Sequence, residues 1–444
     1  MFSFLKKLWR NKRGNALVLA GAALPLIVGS AGLASDTIQW ALWKRQIQRA
    51  ADSAAMAGVY AIVQEKDVGT CSKTSIPTAT YADPVAYDIQ KNNHLFDVPD
   101  CTVTNPPATG TYAADPDAVK VDLSIQKQLS FSGMFMSAAP VISASATATI
   151  VPSGKYCAIS LIDTAVTGIS AGGSTNVNLG CGMITNSVSM DAAIAFGSST
   201  VTASPVAAVG GIDASDNWGA GTVLQPFTIA AEDPFKDVDP PTPTGCQKFS
   251  DWDTGNNNKP GGTVDLTAAG SPITAGGTYC LKESSGKFDV QGNIILPSGT
   301  YVLDRTSLNM TNNNASLTCH SCTFVLTSAD GTGIGNVSLQ GGKLDLSAPD
   351  TGTYKGIMFY QDRRATQCLN NCNLINGNAS STLVGAMYMP NQQLTFTGTS
   401  GMTTHCLQMV ALTLQFNGNS AIDNACDPTG GSHAFDGKKV RLVA

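Results

Sequence analysis

Nineteen consecutive residues without a charge, Ala16 to Ala34, constrain this chain more than any other stretch. A helix rises about 1.5 Å per residue, so a run of that length crosses the ~30 Å hydrocarbon layer of a bilayer. Lys6, Lys7, Arg10, Lys12 and Arg13 crowd the side before it, and the first charge after it is the acid Asp36. Basic flanks are retained in the cytoplasm, which predicts a cytoplasmic leader over 1–15 and everything after Asp36 across the membrane. A cleaved signal peptide also begins this way, with Gly32-Leu33-Ala34 as a small-residue cut site. The helical pattern running past that point favours a retained single-pass anchor, with Asp36 expected at the membrane boundary as a solvated cap.

Beyond the span, Trp40, Trp43, Ile47, Ala50 or Ala51, Ala54, Ala57 and Ala61 recur at spacings of three and four. They form one face of an amphipathic helix that continues the span, giving a helical segment over 16–64. Lys44, Arg45, Gln48 and Arg49 take much of the other side, and Asp52 borders the alanine stripe. Small side chains let another backbone approach closely, so the face including Asp52 and Gly58 is the candidate packing surface, for a partner helix or for the chain's own domain. Pro25 removes one helical hydrogen bond and is expected to bend the span.

Arg13-Gly14-Asn15, the apolar segment with Pro25, Gly32-Leu33-Ala34-Ser35-Asp36 and then Gln48-Arg49-Ala50-Ala51-Asp52-Ser53-Ala54-Ala55-Met56-Ala57-Gly58 follow one another in that order. This arrangement, over about residues 10 to 62, resembles the N-terminal region of TadG-like proteins of the bacterial tight-adherence (Flp pilus) assembly machinery. The Ala-Ala-Asp-x-Ala-Ala-x-Ala-Gly run is its most specific part. The resemblance implies a bacterial inner-membrane anchor, other pilus-assembly proteins as partners, and a part in building or tethering the pilus, without a catalytic residue or cofactor. Related pilins and pseudopilins are cut after a glycine and carry glutamate at the fifth position of the new N-terminus. A cut after Gly14 would put Leu19 there. A retained anchor is therefore expected, with a minor pseudopilin as an alternative.

Charged residues make up 13% of the chain, about half the usual ~25%, which argues for many short, tightly turned strands after the anchor. Net charge is −5, and past the leader no Lys/Arg run is interleaved with aromatics, so nucleic acid is excluded as an expected partner. All twelve cysteines follow the anchor: Cys71, Cys101, Cys157, Cys181, Cys246, Cys280, Cys319, Cys322, Cys368, Cys372, Cys406 and Cys426. An even number confined to the translocated side reads as a disulfide set in an oxidising compartment, the periplasm. Connectivity is open; sequence neighbours suggest Cys71 with Cys101 and Cys157 with Cys181.

Residues 65–152 read as a small α+β neck, in which Val119, Val121, Leu123 and Ile125 alternate with polar residues as a half-buried strand. From 153 to 444 a pattern of apolar, any, apolar, any, then Gly or Asn recurs. Its copies end at Gly292, Asn312, Gly341, Gly377, Gly398 and Gly418, at intervals of 20, 29, 36, 21 and 20. One five-residue strand cannot bury its own apolar face, whereas a stack of them can, which predicts an all-β, disulfide-stapled parallel β-solenoid. An antiparallel β-sandwich is the alternative. Prolines and asparagines between 203 and 262 predict an extended excursion.

Several stretches invite chemical readings. Cys319-His320-Ser321-Cys322 with Cys368 and Cys372 has thiolate-zinc spacing, but in an oxidising compartment disulfides are expected. Asp251-Trp252-Asp253-Thr254-Gly255 begins like a calcium loop yet has Gly262 at its twelfth position, where the calcium loop places Glu. Asp163-Thr164-Ala165-Val166-Thr167 lacks the Asp-x-Ser-x-Ser of a metal-dependent adhesion site. Asp362-Arg363-Arg364 is the densest charge cluster of the distal region and is read as a surface salt bridge. Paired acids on a solenoid face would instead suit polysaccharide binding or cleavage. His94, His320, His405 and His433 are scattered, and no nucleophile elbow or phosphate loop occurs. The expected function is mechanical, in pilus assembly, with a homo-oligomer possible and a polysaccharide-acting solenoid as the alternative.

Overall fold

The computed structural model describes residues 12–92, 98–376, 381–397, 402–418, 421–425 and 434–443. Lys6, Lys7, Arg10, His94, Gly377, Gly398, Cys426 and His433 lie outside them, as do the side chains of His405 and Cys406. The chain forms two units, Met1–Val151 with Val440–Ala444, and Pro152–Lys439.

The first unit is built on one helix, α1 (Lys12–Val63), of 52 residues with Pro25 inside it. At ~1.5 Å per residue that is about 78 Å, far more than a bilayer needs. Its two halves have different surroundings. Leu24, Leu26, Ile27, Leu33, Ile38 and Leu42 are exposed, whereas Ile47, Ala51, Ala54 and Val59 are fully buried. Among the described residues this is the one helix long and apolar enough to cross a membrane, by length and composition. The buried half packs on a second helix, α2 (Pro84–Asn92), and on an antiparallel sheet of β1 (Asp100–Thr104), β2 (Val119–Gln126) and the first part of β3 (Val141–Ser160). Val121 of β2 lies opposite Val103 of β1 and Ala146 of β3. Strand alternation then sends Val119, Val121, Leu123 and Ile125 to the helix side, where each adds roughly 1.5–3 kcal/mol of apolar burial.

In the second unit every described strand pairing is parallel, not antiparallel as in the alternative sandwich. Most short strands pair with the third one after them. One ladder runs Thr263–Asp265, Asn293–Leu296, Ser316–Cys319, Lys343–Ser347. Another runs Gly277–Leu281, Gly299–Asp304, Cys322–Thr327, Ile357–Gln361. The third runs Lys287–Asp289, Ser307–Met310, Val337–Leu339, Cys368–Ile375. Thr382–Thr397 is long enough to join all three ladders. The sequence repeat lies on the third: Phe288 pairs with Leu308 and Leu308 with Val337, and further on Leu339, Ile375, Phe396 and Phe416 pair in turn. Like residues thus stack on like. Tyr301, Phe324 and Phe359 form an interior column with ring centroids 5.5 and 5.6 Å apart.

The order of the tiers is not the order of the chain. Met402–Asn417 stacks on residues 158–160 and on Ile169–Ala171, and Ala421–Ala425 stacks on Asn176–Asn178. From there the stack continues through residues 182–202 to 206–225. The first tier of the unit therefore sits inside the stack, between the last tier and the second. The expected excursion also begins later than 203, because Val206, Ala207 and Ala208 are fully buried and hold pairing on Met183–Thr185, and Leu224–Gln225 pairs in turn on Val206–Ala207.

Candidate functional site

The helix face singled out by sequence spacing lies within the first unit, against the chain's own sheet and α2. Ile47, Ala50, Ala51 and Ala54 are at most 1% exposed, and Gly58 is buried. Trp43 is half-buried against the same core, with Lys127 Nζ 5.5 Å from its ring centroid. Asp52 is half-buried and accepts a hydrogen bond from Gln48 Nε2 at 2.8 Å. Trp40 is 45% exposed and stands off the packed line, and Ala57 is only half-buried. Ala55 and Val59, which spacing did not single out, are completely buried. Two elements pack on α1, so its buried face is wider than a single stripe. In an alanine-rich segment the extra width leaves no mark in the hydropathy pattern.

Asp36 departs from expectation. It is 3% exposed, not a solvated cap, and its carboxylate accepts the backbone N–H of Phe131 at 2.8 Å, the N–H of Ser132 at 2.5 Å and the Ser132 hydroxyl. The physical reason is a short 3-10 turn, Ser132–Met134, whose first N–H groups have no partner of their own and draw an anion. Around it the 127–136 segment lies along α1. Phe131 rests on the bare backbone of Gly32, where any Cβ would overlap its ring. Ser130 exchanges hydrogen bonds with Gln39, its Oγ 2.9 Å from Gln39 Nε2 and 3.0 Å from Oε1. Gly32, Asp36, Gln39 and Trp43 are spaced by four, three and four, which is one helical edge. Further along, Lys44 and Gln48 donate to the Ser143 and Ser145 carbonyls of β3. In Asp36→Ala the Phe131 and Ser132 amides lose their acceptor. Hydrogen exchange should then show their protection lost while β2 stays protected, and unchanged protection would show that the carboxylate does not hold the loop.

The remaining candidates are tied into structure. Disulfides join Cys71–Cys101, Cys157–Cys181, Cys246–Cys280, Cys319–Cys322 and Cys368–Cys372. Asp251 caps the short helix Phe249–Trp252 through the Lys248 N–H, and Asp253 accepts from Asn257 N at 2.9 Å and Asn258 N at 2.7 Å, so backbone fills the calcium-like loop. No group of three or more His, Cys, Asp or Glu that could hold a metal occurs among the described residues.

The Asp362-Arg363-Arg364 cluster is not a simple surface pair. Asp362 is 2% exposed and takes hydrogen bonds from Arg364 and Thr327. Those bonds hold its carboxyl below the usual range against the opposing effect of burial, which is the largest single influence on it. Arg363 turns the other way. It clasps residues 233–239, donating to Tyr388 Oη at 2.8 Å, Val238 O at 3.1 Å, Asp239 Oδ1 at 3.4 Å and the Phe235 carbonyl. Tyr360 and Tyr354 hydroxyls donate to Val238 O and Asp239 O at 2.6 and 2.9 Å, and Tyr388 donates to Asp233 at 2.7 Å. Burial pushes the Tyr360 hydroxyl up to about 12 and raises Tyr388 further with the help of Asp233, so both remain protonated donors at ordinary pH.

Comparison with known proteins bears on α1. Residues 14–61 match the family described as "Putative Flp pilus-assembly TadE/G-like". The N-terminal segment is TadE/G-like. No curated protein and no solved structure gives a significant match. The TadE/G-like segment coincides with nearly the whole of α1, both its exposed apolar half and its buried half. It connects the chain to Flp pilus assembly, to a membrane anchor and to other proteins of that machinery. Its edge at Gly32, Asp36 and Gln39 is where the 127–136 segment, outside the matched residues, is fastened.

Proposed function

We propose that this protein is a non-enzymatic component of Flp pilus assembly that tethers or organises the pilus at the bacterial inner membrane. In this reading α1 spans the membrane once with its basic leader in the cytoplasm. Residues 65–152 form a neck on the periplasmic side, and 153–444 form a disulfide-stapled parallel β-solenoid. The observation that carries it is the TadE/G-like match over 14–61 on a helix exposed and apolar before residue 43 and packed on its own sheet after residue 47. Three parallel ladders joined strand to third strand support the solenoid, since a repeating tier is the arrangement that gives such pairing. The five disulfides among the described residues support an oxidising compartment for everything beyond α1.

The test is deletion of the gene in its own host, complemented by the full chain or by a chain lacking α1 residues 16–34. Pili counted by electron microscopy are expected to be lost or shed on deletion and restored by the full chain alone. Normal, attached pili in the deletion strain would sink the proposal.

A further inference from the structure

We propose that the 128–140 loop is a second membrane-contacting element, with the Met134, Phe135 and Met136 side chains entering the interfacial layer of the bilayer beside α1. This rests on the membrane-anchored reading above and adds a lipid-binding surface to it.

The loop is fastened where the charge-free span of α1 ends. Phe131 sits on Gly32 and the 3-10 turn is held by Asp36, so the tip lies level with the last turn of the span. Met134 is 77% exposed, Phe135 76% and Met136 46%, three consecutive large apolar residues on one tip. The Phe131 and Phe135 rings meet at 5.4 Å, which stiffens the tip onto the helix. Apolar residues in that number form a contact surface when they sit near another one, and the loop is fastened at Gly32, Asp36 and Gln39, within the stretch of α1 where Leu33 and Ile38 are exposed.

Backbone pairing at this tip suits contact with lipid. Every N–H from Phe131 to Met136 has an acceptor: Phe131 and Ser132 in Asp36, Gly133 in Leu129 O, Met134 in Phe131 O, Phe135 and Met136 in Ser132 O. Gln128 Nε2 also covers the Gly133 carbonyl at 2.9 Å. N–H groups already paired in this way carry no penalty when the tip meets an apolar layer.

Charge points the same way. Nothing charged occurs from Gln128 to Gly154, and Asp36, the one charge on α1 between Arg13 and Lys44, is enclosed by the loop itself. The outward face of α1 is thus uncharged from Gly14 to Trp43, about 42 Å for Ala16–Trp43, close to the ~40–45 Å of a bilayer with its headgroup layers. Trp40 and Trp43, followed by Lys44, Arg45 and Lys127, supply the aromatic and basic groups that favour the headgroup level.

The test places the photocrosslinking amino acid p-benzoylphenylalanine at Met134 or Phe135 of the full chain in its own membranes, with Ile27 in the span and the exposed Tyr81 as references. Irradiation followed by intact-mass measurement is expected to give phospholipid adducts at Ile27 and at Met134 or Phe135 in comparable yield, and none at Tyr81. Lipid adducts at Ile27 with only protein adducts, or none, at both loop positions would overturn the loop proposal and leave the anchor standing. Absence of lipid adducts at Ile27 would remove the anchor, and the loop proposal with it.

Discussion

Gly58→Leu is expected to loosen α1 from its sheet and raise amide exchange over β2 roughly thirtyfold. A Cβ at Gly58 would lie 2.8 Å from Val119 Cγ1 and 3.1 Å from Val85 Cγ2, so even one carbon forces β2 or α2 to give way. Leucine adds three more carbons where no space exists, and overpacking of that kind costs ~1–3 kcal/mol. Helix propensity works the other way by up to ~1 kcal/mol, since glycine is a poor helix former. With no space for the added carbons the strain falls at the top of that range and wins for leucine, leaving about 2 kcal/mol, which is the stated change in the opening equilibrium. Ala57→Leu, one residue away and half-buried, should change exchange little. Equal exchange in the two variants would mean that α1 does not rest on Val119.

Arg363→Ala is expected to release residues 233–239 from the second unit, with exchange across that segment accelerated about a hundredfold. One guanidinium bonds the Phe235 and Val238 carbonyls, the Asp239 carboxylate and the Tyr388 hydroxyl. A hydrogen bond to a charged group contributes ~1.5–3 kcal/mol, but the Arg363 side chain is 31% exposed and its freed acceptors regain water, so losing the set should weaken the closed form by about 3 kcal/mol, well below the sum. Arg363→Lys keeps the charge but not the fork that reaches several acceptors at once, so it should recover only part of the protection. The ladders beneath, such as Gly299–Asp304 on Cys322–Thr327, are expected to keep theirs. Protection unchanged in Arg363→Ala would assign the clasp to the Tyr354, Tyr360 and Tyr388 hydroxyls.

What could be read from sequence followed from periodicity. The third ladder was legible because its strands end in Gly or Asn corners that recur. The other two were not, since Asn293–Leu296 and Gly299–Asp304 are separated by Pro297-Ser298 and end without a repeated corner residue. Ile47, Ala51 and Ala54 stand out as a helical stripe, whereas Ala55 and Val59 are buried in a core shared with the sheet and α2, elements whose positions no local pattern gives. Asp36 was misplaced because its partner Ser132 is 96 residues away, and an acid beside a membrane span resembles a boundary marker until that partner is known. Arg363 likewise meets Phe235 at a separation of 128 residues. No residue type marks that Phe416 will stack on Ala171, so the tier order was invisible.

That tier order has a consequence for how the protein is made. The first tier, ending at Asn178, exposes one bare strand edge from the moment it emerges until Ala421–Ala425 arrive to cover it, about 250 residues later. At ~5–20 residues per second that wait lasts roughly 10–50 s, during which an open parallel edge is free to pair with another copy of itself. Cys157–Cys181 lies just there, tying the first tier to the second while the covering strand is still unmade. An early covalent staple and a late closing strand make completion of synthesis, not collapse of the first half, the event that finishes the unit.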